Sequence, residues 1–229
     1  MICCYIPARG GSKGIKNKNL IDFNGKPLIQ HTIEFSILLK SRGLVDEIFV
    51  SSDSDEILTF SKKFGIKPIK RPINLAKSAS RTVDGIIDFI NKKDNFKKDI
   101  PSSILTLQPT SPFRSYSDFV KAFELFSVKN IDSVISVHYD ETLSTSILYK
   151  MGDKNSCIPL EKTHNKGTRR QDQGGLLLRN GSFYLTKTSF IIENNSLVSD
   201  KPSFVLMSKI NSINIDTYED LEMARNISK

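Results

Sequence analysis

Arg9, Gly10, Gly11, Ser12, Lys13, Gly14 and Lys18 follow an apolar run from Ile2 to Pro7, and together they make a basic, glycine-rich loop suited to holding a triphosphate. Glycine lets the backbone approach an anion and turn its N–H groups inward. Arginine adds a forked donor and lysine a mobile point charge. The spacing departs from both common phosphate motifs. No start among these glycines gives G-x-x-x-x-G-K-[ST], and only a G-G-x-x-G remnant of G-x-G-x-x-G is present. From glycines and lysines alone, an ordinary basic turn stays open as an alternative.

The elements that would carry such a loop are legible in the hydrophobic pattern. Ile2 to Pro7, Val45 to Ser51, Ile66 to Lys70, Ser103 to Gln108 and Ser133 to His138 read as short strands rich in β-branched residues, with helical patterns between them. One helix is expected from Pro27 to Gly43. Another is expected from Asp53 to Phe64, with Ser54 as its cap and Gly65 as its stop. The alternation implies an α/β fold, a doubly wound, mostly parallel sheet with helices on both faces. In such a sheet ligands bind beyond the carboxyl ends of the strands. The segments Arg9 to Asn19, Arg71 to Thr82 and Pro109 to Arg114 each follow an expected strand, so all three should gather on one edge. After residue 140 the pattern turns irregular, with a hairpin turn expected at Gly152 to Ser156. Order should return at Ser182 to Thr186, Ser203 to Met207 and Ser212 to Ile215, followed by a helix from Tyr218 to Ile227.

At 229 residues, one domain spanning 1–229 is the default, and the formal net charge of +8 admits either a nucleic acid or small anionic substrates. The lysines are dispersed and no aromatic-basic RNA-binding pattern occurs, so no nucleic-acid partner is expected. Cys3 and Cys4 are adjacent in a strand and point to opposite faces, and Cys157 stands alone, which argues against a disulfide framework. With no long apolar stretch and no charged leader, the expectation is a soluble, cytoplasmic protein without a membrane partner. The three histidines share no metal spacing and are assigned no role. Asp53 and Asp55 are accounted for by a helix N-terminus.

The segment I-P-A-R-G-G-S-K-G-I-x-x-K-N-L resembles the N-terminal signature of the CMP-sialic acid synthetases, or acylneuraminate cytidylyltransferases. Four further segments agree in order: Leu107 to Arg114, Arg169 to Asp172, Asn180 to Tyr184, and Ile213 to Thr217. The resemblance implies a Rossmann-like nucleotidyltransferase that moves CMP from CTP to the anomeric hydroxyl of a sialic or other nonulosonic acid. It implies catalytic roles for Arg9, Lys13 and Arg170, and nucleotide contacts from Ala8, Arg9, Gly11, Ser12, Lys13, Asn19, Arg71, Ser80 and Thr82. It also implies acceptor contacts from Gln108, Arg170, Gln171, Asn180 and Tyr184. Mg²⁺ would be held by Asp216 and Asn214, and a segment of about residues 140–185 would bind sugar and extend across the partner in a homodimer. Synthetases for legionaminic and pseudaminic acid share these motifs. The alternatives are a cytidylyltransferase for another keto acid such as 3-deoxy-manno-octulosonate, although its loop typically resembles I-P-A-R-x-x-S-x-R, and a basic nucleic-acid-binding protein. The chain departs from the family's I-D-I-D-T in reading Ile213-Asn214-Ile215-Asp216-Thr217, which replaces one anionic ligand by an amide. For Asp216 a helix-capping role is the competing account.

Overall fold

The computed structural model describes residues 1–12, 14–92, 100–162 and 174–228. Strand β1 (Ile2–Pro7) reads as continuously apolar because both of its faces are covered: Cys4 and Ile6 enter one core cluster, Cys3 and Tyr5 the other. Burial pushes the Cys3 thiol up to about 12 and raises Cys4 as well, so both are packing groups. There follow a small hairpin of β2 (Asp22–Phe23) and β3 (Lys26–Pro27), then α1 (Leu28–Ser41), β4 (Glu47–Ser52), α2 (Asp55–Lys62), β5 (Lys67–Lys70), α3 (Thr82–Asn91), β6 (Ser103–Leu107), α4 (Tyr116–Phe126) and β7 (Ser133–Asp140). A second hairpin, β8 (Tyr149–Met151) and β9 (Cys157–Pro159), precedes β10 (Leu176–Lys187), α5 (Thr188–Asn194), β11 (Ser203–Leu206) and α6 (Tyr218–Ile227).

Seven strands form one sheet in the order β11-β7-β10-β6-β1-β4-β5. Every pairing is parallel except those of β10, which runs antiparallel to both β6 and β7. Helices α1, α2 and α4 supply Ile29, Ile33, Ile57 and Phe119 to the core on one face, and α3 and α5 supply Ile86, Phe89 and Ile191 on the other. The doubly wound, mostly parallel fold expected from the strand-helix alternation is therefore the fold observed. From β1 the chain steps outward to β4 and β5, then returns to the other side of β1 with β6. The switch point lies between β1 and β6, where such sheets bind ligands.

Two expectations are corrected, and one hairpin is found that none of them covers. Ser212 to Ile215 is not a strand: it makes turns of its own, Ser212 N–H to the Lys209 carbonyl and Ile213 N–H to the Ile210 carbonyl, and then Ile215 N–H donates to the Thr110 carbonyl at 2.7 Å. It follows β11, a sheet edge, and crosses back over the strand ends instead of pairing. The excursion assigned to about residues 140–185 ends sooner, because from Leu176 onward the chain is β10, a central strand bonded on both sides. The small β2–β3 hairpin was missed; its signal is Asn24-Gly25, both at positive φ (53° and 76°), the pair that two-residue hairpin turns favour.

Candidate active site

A cleft of about 370 Å³ opens at the switch point, and the residues singled out in sequence meet in it: Arg9, Ser12 and Asn19 from the loop after β1, Arg71, Ser80 and Thr82 from the segment after β5, Gln108 after β6, Asn180 and Tyr184 from β10, and Asn214 and Asp216 from the segment before α6. Lys13, Arg170 and Gln171 lie outside the described residues. Sequence reasoning assigned no site role to Pro7, Ser78, Pro109, Thr110 or Gly181, which complete the wall. Lys18 was read only as a cation of the loop, and it too lines the cleft. Three cations, Arg9, Lys18 and Arg71, face one carboxylate, Asp216, among the described lining residues, so the cleft favours anions.

The basic loop is fastened differently from expectation. Its glycines were expected to turn N–H groups toward an anion, but Gly10 N–H donates to Asp53 Oδ1 at 2.8 Å and Ala8 N–H to the Ser51 carbonyl at 2.9 Å. Ala8 is fully buried, so it is a floor beneath the cleft, and Gly11 is exposed and absent from the lining. Asp53, left without a role in the sequence reading, is an anchor of the loop. Gly14 is required by close approach to protein: a β-carbon there would run into the Asp216 backbone carbonyl. The loop thus packs directly on the segment that carries Asn214 and Asp216.

Asn19 is nearly buried and donates from Nδ2 to the Arg9 carbonyl at 2.9 Å, so it sets the course of the loop while lining the cleft. Arg71 is only 7% exposed, bonded to Ser51 and to the Tyr5 hydroxyl. Ser80 lies ahead of α3 without capping it. Its hydroxyl bonds the Asn74 carbonyl at 3.2 Å, and the start of α3 is closed by Asp84 accepting from Arg81 N–H at 3.1 Å. Gln108 reaches Thr82 Oγ1 from Nε2 at 3.5 Å, which links the β6 end to the start of α3.

On β10, Asn180 is committed to protein partners: Nδ2 donates to Ser212 Oγ at 2.8 Å and Oδ1 accepts Ser182 N–H at 3.1 Å. It shapes the wall and ties β10 to the Asn214 segment. Phe183 is fully buried, and Tyr184 on the opposite face lines the cleft. Arg114 clamps the floor by donating to the Gln108 and Ser182 carbonyls and, at 3.0 Å, to Thr32 Oγ1 of α1.

Asp216 is the meeting point of the loops. Lys18 Nζ donates to its Oδ1 at 2.6 Å, and Asn214 Nδ2 donates to its Oδ2. The side chains of Asn214 and Asp216 are adjacent as expected, although no strand places them so. The helix-capping alternative is not met by Asp216 itself, since Thr217 and Asp220 cap α6 reciprocally. The Asp216 side chain is 60% exposed, so its ion pair with Lys18 contributes at most about 1 kcal/mol and exchanges readily for another cation. A carboxylate and an amide oxygen form a donor set that suits Mg²⁺ when ligand phosphates and water complete it. Holding the ion there requires the Asn214 amide to present oxygen in place of nitrogen and sets the ion in competition with Lys18. No cluster of three or more acidic, histidine or cysteine ligands occurs among the described residues.

Comparison with known proteins agrees with the geometry. A family model described as cytidylyltransferase matches residues 3–226. An N-acylneuraminate cytidylyltransferase of Streptococcus agalactiae serotype V is 30% identical over 219 residues, covering 95% of this chain and 51% of the relative, so the chain spans about half of that protein's length. A pseudaminic acid cytidylyltransferase of Campylobacter jejuni subsp. jejuni serotype O:23/36 is 30% identical over 230 residues, covering 99% of this chain and 95% of the relative. Among solved structures, a CMP:2-keto-3-deoxy-manno-octonic acid synthetase complexed with CTP shares the fold, with a TM-score of 0.71, 18% identity, and coverage of 99% and 98% of the two chains. Because the matched span takes in every described element that lines the cleft, the chain belongs to the cytidylyltransferase family.

Proposed function

We propose that this protein transfers CMP from CTP to the anomeric hydroxyl of a nonulosonic acid of the sialic acid type and releases pyrophosphate. One observation carries the reading: a basic loop, the segment after β5 and the polar residues of β6 and β10 converge on one cleft at the switch point of a cytidylyltransferase sheet. The acceptor oxygen attacks the α-phosphorus, the bond from that phosphorus to the bridging oxygen breaks with its electron pair leaving on pyrophosphate, and the hydroxyl proton passes to solvent water. Such a displacement needs alignment and charge neutralisation more than covalent help. Arg9 and Lys18 line the side that would meet the negative charge growing on the leaving pyrophosphate, and Lys13 is assigned to the same charge from its place in the basic loop. Arg71, Ser80 and Thr82 line the side that would receive the base. Gln108, Asn180 and Tyr184 form the wall for the acceptor, with Arg170 and Gln171 as further acceptor contacts. Asp216 and Asn214 would hold Mg²⁺, which when bound supplies further neutralisation of the triphosphate.

Pyrophosphate release is expected when CTP and a nonulosonic acid are present together, with CTP outperforming UTP and ATP. The assay is run with N-acetylneuraminic, legionaminic, pseudaminic and 3-deoxy-manno-octulosonic acids. If none provokes release with any nucleotide, the reading is wrong. Faster turnover of the octulosonic acid would move the assignment to that acceptor.

A homodimer in the cytoplasm belongs to the same proposal. No helix among the described residues is long and apolar enough to cross a membrane. The β8–β9 hairpin leaves Met151 95% exposed, with Tyr149, Ile158 and Leu160 also open to solvent, an apolar surface that a second copy would cover. Light scattering should return twice the 25.8 kDa chain mass, and a strictly monomeric mass at working concentration refutes the dimer.

A further inference from the structure

Arg71 has no acidic partner among the described residues, and most of its hydrogen-bonding capacity points into the protein. Nε donates to Ser51 Oγ at 3.1 Å, and Nη2 donates to the Ser51 carbonyl at 3.0 Å and to Tyr5 Oη at 3.3 Å. A guanidinium has five N–H bonds. Three are committed here, and the two on Nη1 have no protein partner among the described residues, although Arg71 lines the cleft. The side chain is thus held from behind with one forked pair of donors left over.

Two residues that do not line the cleft make that hold possible. Tyr5 is fully buried in the middle of β1, its ring 5.6 Å from that of Phe89 in α3, and its hydroxyl meets Arg71. Burial raises the phenol above its ordinary pKa, so it stays neutral and can accept from the cation. Gly85 lies within α3, where glycine is a poor helix former. A β-carbon there would stand 2.9 Å from Tyr5 Oη, 3.4 Å from Arg71 Nε and 3.5 Å from its Cζ. The space that Gly85 leaves open is the space the tyrosine hydroxyl and the guanidinium share.

We infer that Tyr5 and Gly85 are positioning residues that seat the Arg71 guanidinium with Nη1 toward the pyrimidine edge, and that this seat sets the preference for cytidine over uridine nucleotides. The inference rests on reading the cleft as a CTP site. Cytosine offers two adjacent acceptors, O2 and unprotonated N3. Uracil offers O2 beside an N3–H donor. Two N–H bonds on one nitrogen match the first edge and set donor against donor on the second. Buried groups left unmatched in this way discriminate far more strongly than a change in apolar contact. Ser51 takes Nε and Nη2, and the Tyr5 hydroxyl is the third partner that limits how the guanidinium tilts on that edge, so a seat without it discriminates less.

The test is calorimetric binding of CTP and of UTP, without acceptor, to the wild type and to Tyr5→Phe, Gly85→Ala and Arg71→Lys. The wild type should prefer CTP. Tyr5→Phe, which keeps the ring and removes the hydroxyl, and Gly85→Ala should each weaken CTP binding about tenfold while UTP changes little, so the CTP:UTP ratio falls by the same factor. Arg71→Lys should lower the ratio at least as far. If Tyr5→Phe and Gly85→Ala keep the wild-type ratio while Arg71→Lys lowers it, the positioning role is overturned and the CTP reading stands. If Arg71→Lys also keeps the ratio, Arg71 does not read the base and the inference falls with it. A wild type that binds neither nucleotide overturns the CTP reading itself. Should Gly85→Ala fail to fold, the Tyr5→Phe ratio decides alone.

Discussion

Arg9→Ala lowers turnover about 10²-fold or more and leaves the fold intact, the size expected when one preorganised donor is removed from a developing charge. Arg9 lines the cleft, and no carboxylate pairs with it among the described residues, so its guanidinium is available to a ligand. What holds the loop is independent of that side chain: the Asn19 amide bonds the Arg9 backbone carbonyl, and Asp53 bonds Gly10 N–H. Alanine at residue 9 therefore deletes charge without loosening the anchor. Lys13→Ala should act in the same direction by a similar factor. Steady-state kinetics of pyrophosphate release together with thermal unfolding check this. Wild-type rates in both variants would reduce the loop to a surface turn.

Asp216→Asn should nearly abolish activity, a loss of at least about 10²-fold, whereas Asn214→Asp should lower the Mg²⁺ concentration needed for half-maximal rate. Asp216 is the lone carboxylate among the described residues of the cleft, and it holds Lys18 through Oδ1 at 2.6 Å. An amide at 216 removes the anionic ligand and releases the Lys18 ammonium in the same step. At 214 the exchange of amide for acid keeps the shape and adds the charge that the family's pair of carboxylates carries. It also gives Lys18 a second anion to choose from, so a metal ion competes with the lysine on better terms. Titrating Mg²⁺ against rate, and Mn²⁺ binding without nucleotide, distinguishes the two effects. A 214 variant with unchanged metal dependence and a 216 variant with full activity would together remove both residues from the metal site.

The local pattern of the chain determined its elements and what could be done at their ends. Continuous apolar runs marked β1, β4 and β6, because a parallel strand covered on both faces has no solvent side to alternate with. Placing three loops beyond the carboxyl ends of β1, β5 and β6 followed from fold class alone, and the cleft contains residues from all of them. Signals that depend on short-range geometry, such as Ser54 capping α2 and the turn at Gly152 to Ser156, were legible for the same reason.

Tertiary structure decided what each polar group is occupied with. Nothing local shows that Gly10 N–H is spent on Asp53, that Asn180 is bound to Ser212, or that Arg71 is sunk against Tyr5 and Ser51, because those partners lie far away in sequence. Nor does local pattern show that Ser212 to Ile215 lacks a strand neighbour, since a strand exists only when another chain segment offers its ladder. The sequence therefore determined that three strand-end loops gather on one edge of the sheet. Only the folded chain decided which of them still have free donors there, since a hydrogen-bonding group already satisfied by a distant partner is chemically unavailable to a ligand.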